Sequence, residues 1–180
     1  DQDIIYEQLA HRGAYGKLAP GEAATWGYEE APESIDAFGL QVKLYKPVTG
    51  PEAETFAAWH GRPLVPVVAF AGTNPKELSD VQDDVNDRGV GTYQFAVNES
   101  MIRAIFTVAG AKSDVVGHSL GGALAQLAAC NMPGSVNRIV TFQSPAVSEE
   151  DYQKLADHNA QAAPEDQIDS THFRAHGDLV

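Results

Sequence analysis

The chain has one cysteine, Cys130, in 180 residues. A lone thiol excludes an internal disulfide, so the fold must be held by burial, for which this length suffices. Basic residues are also scarce: 12 Lys and Arg stand against 25 Asp and Glu, a formal charge of −13. That balance excludes nucleic acid as a partner and electrostatic capture by anionic lipid. It does not exclude a lipid substrate met through an apolar mouth. No apolar run approaches the roughly 20 residues that span a bilayer, and the first residues lack the basic and apolar regions of a signal peptide. No metal or other cofactor is expected. Asp80, Asp83, Asp84 and Asp87 do not have the spacing of a calcium loop and read as solvated surface.

What remains is an ordinary globular composition, 43% hydrophobic and 21% charged. There is no internal repeat and no boundary, so residues 1–180 are expected to form a single domain. The chain opens on Asp1 rather than Met, and it is expected to be a processed product or an excised piece.

Periodicity alternates between helix and strand. Residues 1–16 suit a short amphipathic helix, with Trp26 and Tyr28 as anchors beyond it. Residues 38–45 read as a strand, a loop carries Trp59, and 64–70 is an apolar strand whose start is disturbed by Pro63 and Pro66. A polar segment extends to Gly91. Residues 93–108 put Val97, Met101, Ile105 and Val108 on one helical face. Then follow a short buried strand at 114–117, a helix at 120–130 ending on a buried Cys130, and a strand at 138–142. A polar helix runs to about His158, opened by Ser148 with Asp151 three residues on, and a last strand covers 171–176. This alternation predicts an α/β fold with a mostly parallel sheet flanked by helices. Active sites in such sheets form at the carboxyl ends of the strands. Four places are selected: Gly72-Thr73, the segment 117–122, the turn at 143–145, and the stretch reaching Asp178.

The segment Gly117-His118-Ser119-Leu120-Gly121-Gly122 has the form of a nucleophile elbow, between the apolar Asp114-Val115-Val116 and the helix-forming Ala123-Leu124-Ala125. Gly117 and Gly121 answer a turn too tight for a Cβ, and Ser119 must accept a strained backbone. Its hydroxyl would then stand at a helix N-terminus, where developing negative charge is favoured. Acyl transfer by a serine also needs oxyanion donors, a base and a group orienting that base. The N–H of Leu120 is the expected first donor. Thr73, after the strand ending Ala71-Gly72, fits the second.

These residues resemble the class 3 (fungal-type) lipase family. The resemblance is carried by Ala69-Phe70-Ala71-Gly72-Thr73-Asn74, by the elbow, by Thr141-Phe142-Gln143-Ser144-Pro145, and by Phe173-Arg174-Ala175-His176-Gly177-Asp178-Leu179-Val180. Together they span residues 64–180. The resemblance implies an α/β-hydrolase fold and hydrolysis of lipid or related esters. It makes Ser119 the nucleophile, Thr73 and Leu120 the oxyanion donors, and Asp178 the acid. The family often has Arg where Ala71 stands here.

The catalytic histidine of the family follows its aspartate, whereas His11, His60, His118, His158, His172 and His176 all precede Asp178. His118, beside the serine, is expected to pack at the elbow. His172 and His176 are read as lining the site or pairing with a core polar group, and His60 and His158 as surface or loop residues. Three explanations stay open: a base on a C-terminal segment or second chain, a pseudoenzyme, or a recruited resident histidine. The first is preferred, with the chain a fragment that ends near its catalytic acid. The expected function is a serine esterase or lipase working through an acyl-enzyme. The alternatives are a catalytically incomplete binding module and an acyltransferase using the same serine. Residues 75–91 occupy the place of a lid but read more simply as a surface loop. A secreted or delivered bacterial effector is compatible with this composition, which specifies no compartment.

Overall fold

The computed structural model describes residues 2–72 and 91–175. Helix α1, Gln2–Gln8, runs on into a π-helical turn, Leu9–Gly13. Then come β1, Tyr28–Ala37; β2, Leu40–Pro47; α2, Pro51–His60; and β3, Val67–Ala71. The rest is α3, Thr92–Ala109; β4, Ser113–His118; α4, Leu120–Asn131; β5, Val136–Phe142; α5, Glu149–Gln161; and β6, Asp169–Phe173. The six strands form one sheet in chain order. β1, β2 and β3 pair antiparallel, while β3 to β6 are mutually parallel. This is an α/β fold of the α/β-hydrolase type, as the sequence predicts.

Strand order fixes the layers. Parallel strands added in one direction through crossovers of one hand place every connecting helix on the same face. α3, α4 and α5 accordingly share one core with Val68, Phe70, Val115 and Ile139. The alternate residues Val67, Ala69, Ala71, Val116 and Val140 point to the other face, which α1 and its π turn cover through Ile5, Tyr6, Leu9 and Ala10. The amphipathic helix expected at the start of the chain is therefore the lid of the second core.

Three elements depart from expectation. β1 is absent from the sequence reading because Tyr28, Ala31 and Ile35 are its buried residues, spaced three and four apart across a register shift between Glu30 and Ser34. Trp59 lies on a helix rather than a loop. α2 buries no residue, so no apolar stripe marks it; its signals are Pro51 at the first position and Gly61 in the left-handed conformation after its end. α3 exists where expected, but its buried face carries Phe95, Asn98, Ile102 and Ile105, and Val97 is exposed. Two polar residues, Gln94 and Asn98, sit in that face, with the Asn98 amide donating to the Gln94 carbonyl at 2.8 Å. Hydrophobicity alone rotates the helix by about one residue.

At the far end of the sheet from the strand termini described below, Asp114 is fully buried. It accepts from Tyr6 Oη at 2.6 Å and Asn137 Nδ2 at 2.7 Å, and pairs with Arg62. Burial and the neighbouring Asp114 push the Tyr6 hydroxyl well above its ordinary value. Burial pushes that of Tyr28 up to about 12.

Candidate active site

Four parallel strands end at one level: Ala71 is in register with His118, His118 with Phe142, and Phe142 with Phe173. The ladder extends one step beyond, through Ser119 N to Phe142 O at 2.9 Å and Gln143 N to Phe173 O at 2.8 Å. Two non-glycine residues just past this level take positive φ, Ser119 at 53° and Gln143 at 51°. With ψ at −127°, Ser119 lies outside the ordinary left-handed basin, a strain of about 1–3 kcal/mol. A serine before a helix normally caps it with its hydroxyl. Ser119 makes no such bond; its backbone is held on both sides, the N–H by Phe142 O and the carbonyl by Gly122 N, each at 2.9 Å.

The glycines around it are required by contact. A Cβ on Gly117 would overlap the backbone of Gly121, and one on Gly121 would overlap the carbonyl of Phe70. One on Gly122 would stand 2.5 Å from the side chain of Ser144. α4 is thus pressed onto the ends of β3 and β4 with no room for side chains. Leu120 is the first residue of α4, so its N–H has no intrahelical acceptor. Gly72 backs onto Leu120 and Gly121. Tyr15 makes a hydrogen bond with the Gly72 backbone, while burial raises its hydroxyl pKa. Ser119, Leu120, Gly117 and Gly121 lie together at this turn. Thr73, Asp178, His176, the acidic cluster at 80–87 and most of the 75–91 segment lie outside the described residues.

The turn at 143–145 ties the site together. Gln126 Nε2 donates to Ser144 Oγ at 2.9 Å and Pro145 O at 3.0 Å. Arg174 donates to Ser144 O at 3.1 Å, and Ala175 N to Gln143 Oε1 at 3.1 Å. The chain leaving β6 is held to the same loop that is held to α4.

A family model, the Tle-like phospholipase domain, matches residues 8–180. The chain belongs to that family. No curated protein matches it. Membership in the Tle-like phospholipase family supports a hydrolase of lipid esters, and it broadens the resemblance: the relationship is to phospholipase- and lipase-like proteins, not to class 3 lipases in particular.

Within this Tle-like domain every described histidine contacts another group. His118 sits against His11, ring centroids 4.5 Å apart. His172 Nδ1 is 2.7 Å from Thr141 Oγ1, His60 Nε2 is 2.9 Å from Trp26 O, and His158 Nε2 is 3.3 Å from Asp166 O. Burial lowers the pKa of His118, with the His11 charge adding to it and Glu7 opposing it. Burial also lowers His172, and Arg174 lowers it further. His118 therefore packs at the turn as expected, and His172 pairs with a core hydroxyl.

Sequence reasoning missed a cleft of about 590 Å³ lined by α1 and the ends of β4, β5 and β6, including Glu7, His11, His118 and Arg174. Its residues are scattered from 3 to 175, and no local spacing joins them. The one available signal was Arg174, within the motif quoted at 173–180.

Proposed function

We propose that the chain is a serine-dependent hydrolase of lipid carboxylic esters working through an acyl-enzyme. Ser119 attacks the ester carbonyl, the N–H groups of Leu120 and Thr73 hold the oxyanion, and Asp178 orients the histidine that takes the serine proton. The alkoxide or lysolipid leaves, and water releases the acid. The observation that carries this reading is Ser119 itself: a strained residue at a parallel strand end, with a hydroxyl that does not cap its helix, inside a phospholipase-like family match. Gly72 backing onto Leu120 supports Thr73 as the second donor. The resemblance of the motifs quoted above to those of class 3 lipases supports this reading.

The base is assigned to a histidine from outside residues 1–180. Support comes from the other contacts of the described histidines, His11, His60, His118, His158 and His172, and from β6, largely exposed and the last strand of the sheet among the described residues, where a further segment can add. A triad lacking one member keeps about 10³–10⁴ of rate over water, so the 180 residues alone turn over esters slowly. Imidazole added to the chain should raise hydrolysis of a p-nitrophenyl ester, and Ser119→Ala should remove that increment. An imidazole response identical in the wild type and Ser119→Ala would refute the assignment of Ser119.

A further inference from the structure

The cleft lined by His118, the chain neighbour of Ser119, carries charge of both signs. Phe142 and Phe173 stack within it, ring centroids 5.2 Å apart, and supply an apolar surface. Arg174 lines it from the sheet side, Glu7 from α1 and His11 from the π-helical turn that follows it. Arg12, Arg62, Arg103 and Arg138 each pair with a carboxylate, from Glu22, Asp114, Glu99 and Asp3 in turn. Arg174 has no carboxylate among the described residues; its guanidinium meets the carbonyl of Ser144. In a chain with 25 acidic and 12 basic residues, an arginine without a carboxylate partner among the described residues is the exception, and a guanidinium fork suits phosphate oxygens. Glu7, exposed on α1, forms no ion pair with a described Lys or Arg.

We propose that this cleft is a headgroup subsite for a zwitterionic phosphodiester lipid, with Arg174 taking the phosphate and Glu7 the ammonium. The inference rests on the proposed ester hydrolysis at Ser119. The ester carbonyl of a glycerophospholipid is a few bonds from its phosphate, and His118, which lines the cleft, is bonded to Ser119. The glycerol and first methylenes would lie on Phe142 and Phe173. A free phosphate offers the same anion without ammonium or glyceride, so the test separates the two.

Binding is measured by titration calorimetry on the full chain carrying Ser119→Ala, so that no reaction enters. The probes are monomeric dihexanoylphosphatidylcholine, dihexanoylphosphatidic acid, dihexanoylglycerol and inorganic phosphate. Arg174→Gln should weaken both phospholipids on the order of tenfold and leave dihexanoylglycerol unchanged. Glu7→Gln, a change on an exposed helix face, should weaken phosphatidylcholine but not phosphatidic acid. Phosphatidylcholine affinity indifferent to Arg174→Gln would overturn the subsite, as would inorganic phosphate binding as tightly as the lipid. Should imidazole rescue at Ser119 fail while this binding pattern appears, the reaction is misassigned and the headgroup site stands. The reverse result rejects the subsite alone.

Discussion

His118 is a residue whose neighbour in the chain and neighbour in space pull in different directions. Chain position puts it beside Ser119, while packing puts its ring against His11, half-buried, with its pKa lowered. The sign of the consequence can be worked out. Unfolded imidazole takes up its proton near 6.5; in the fold the proton is taken up only at lower pH. Between those values the unfolded chain binds more protons, so stability falls as pH drops below 6.5, and above 6.5 the group imposes no penalty. Urea midpoints of the wild type and His118→Gln, measured from pH 8 to pH 5, should differ by a constant amount down to about 6.5. Below that pH the wild type should lose ground to the variant. A difference independent of pH across the range would show that burial and the His11 contact do not disfavour the charged ring.

Among the elements, α1 decides whether the second face of the sheet is covered, and its anchor is chemically specific. Tyr6 on α1 and Arg62 beyond α2 both meet the buried carboxylate of Asp114 on β4, and Asn137 of β5 closes the other oxygen. Removing one charge of a buried pair is costly because the other is left uncompensated. Arg62 is partly exposed and can recover some hydration, so Asp114→Asn is expected to cost on the order of 3 kcal/mol, the lower end for such pairs. The check is the urea midpoint at constant slope; a shift no larger than that of a surface substitution would mean the clasp is not what holds α1. Element by element, legibility followed exposure. β3, β4, β5, α4 and the Ser148 cap of α5, where the hydroxyl accepts from Asp151 N, were readable because burial or capping imposes a residue type. β1 and α2 were not, since a bulged strand with three buried residues and a helix with none leave no period in the sequence. The turn at Ser119 was readable for the opposite reason: contact with Phe70, Gly121 and Ser144 admits only glycine at 117, 121 and 122. The cleft was not, because it is assembled from both ends of the chain.

For the whole molecule, a charge of −13 meets a family whose members are phospholipase-like, and the two together constrain how the chain approaches lipid. Composition revealed the sign of the field, whereas only the fold shows where the exceptions lie: Arg174 in the cleft, with Ile4 and Phe173 exposed at its lining. At the scale of an approaching membrane those local features are outweighed by the net field. An anionic surface repels the chain over a Debye length, about 30 Å in 10 mM salt and about 8 Å in 150 mM. Adsorption of Ser119→Ala protein to phosphatidylglycerol vesicles should therefore rise severalfold between those salt concentrations, the reverse of a basic peripheral protein. Adsorption to phosphatidylcholine vesicles should change little, because that surface carries no net charge and contact rests on apolar burial and the paired charges of the cleft. Cosedimentation across the salt series reads both. Binding to phosphatidylglycerol that fell with salt would require a basic face strong enough to override 25 carboxylates, and Arg174 alone cannot supply it.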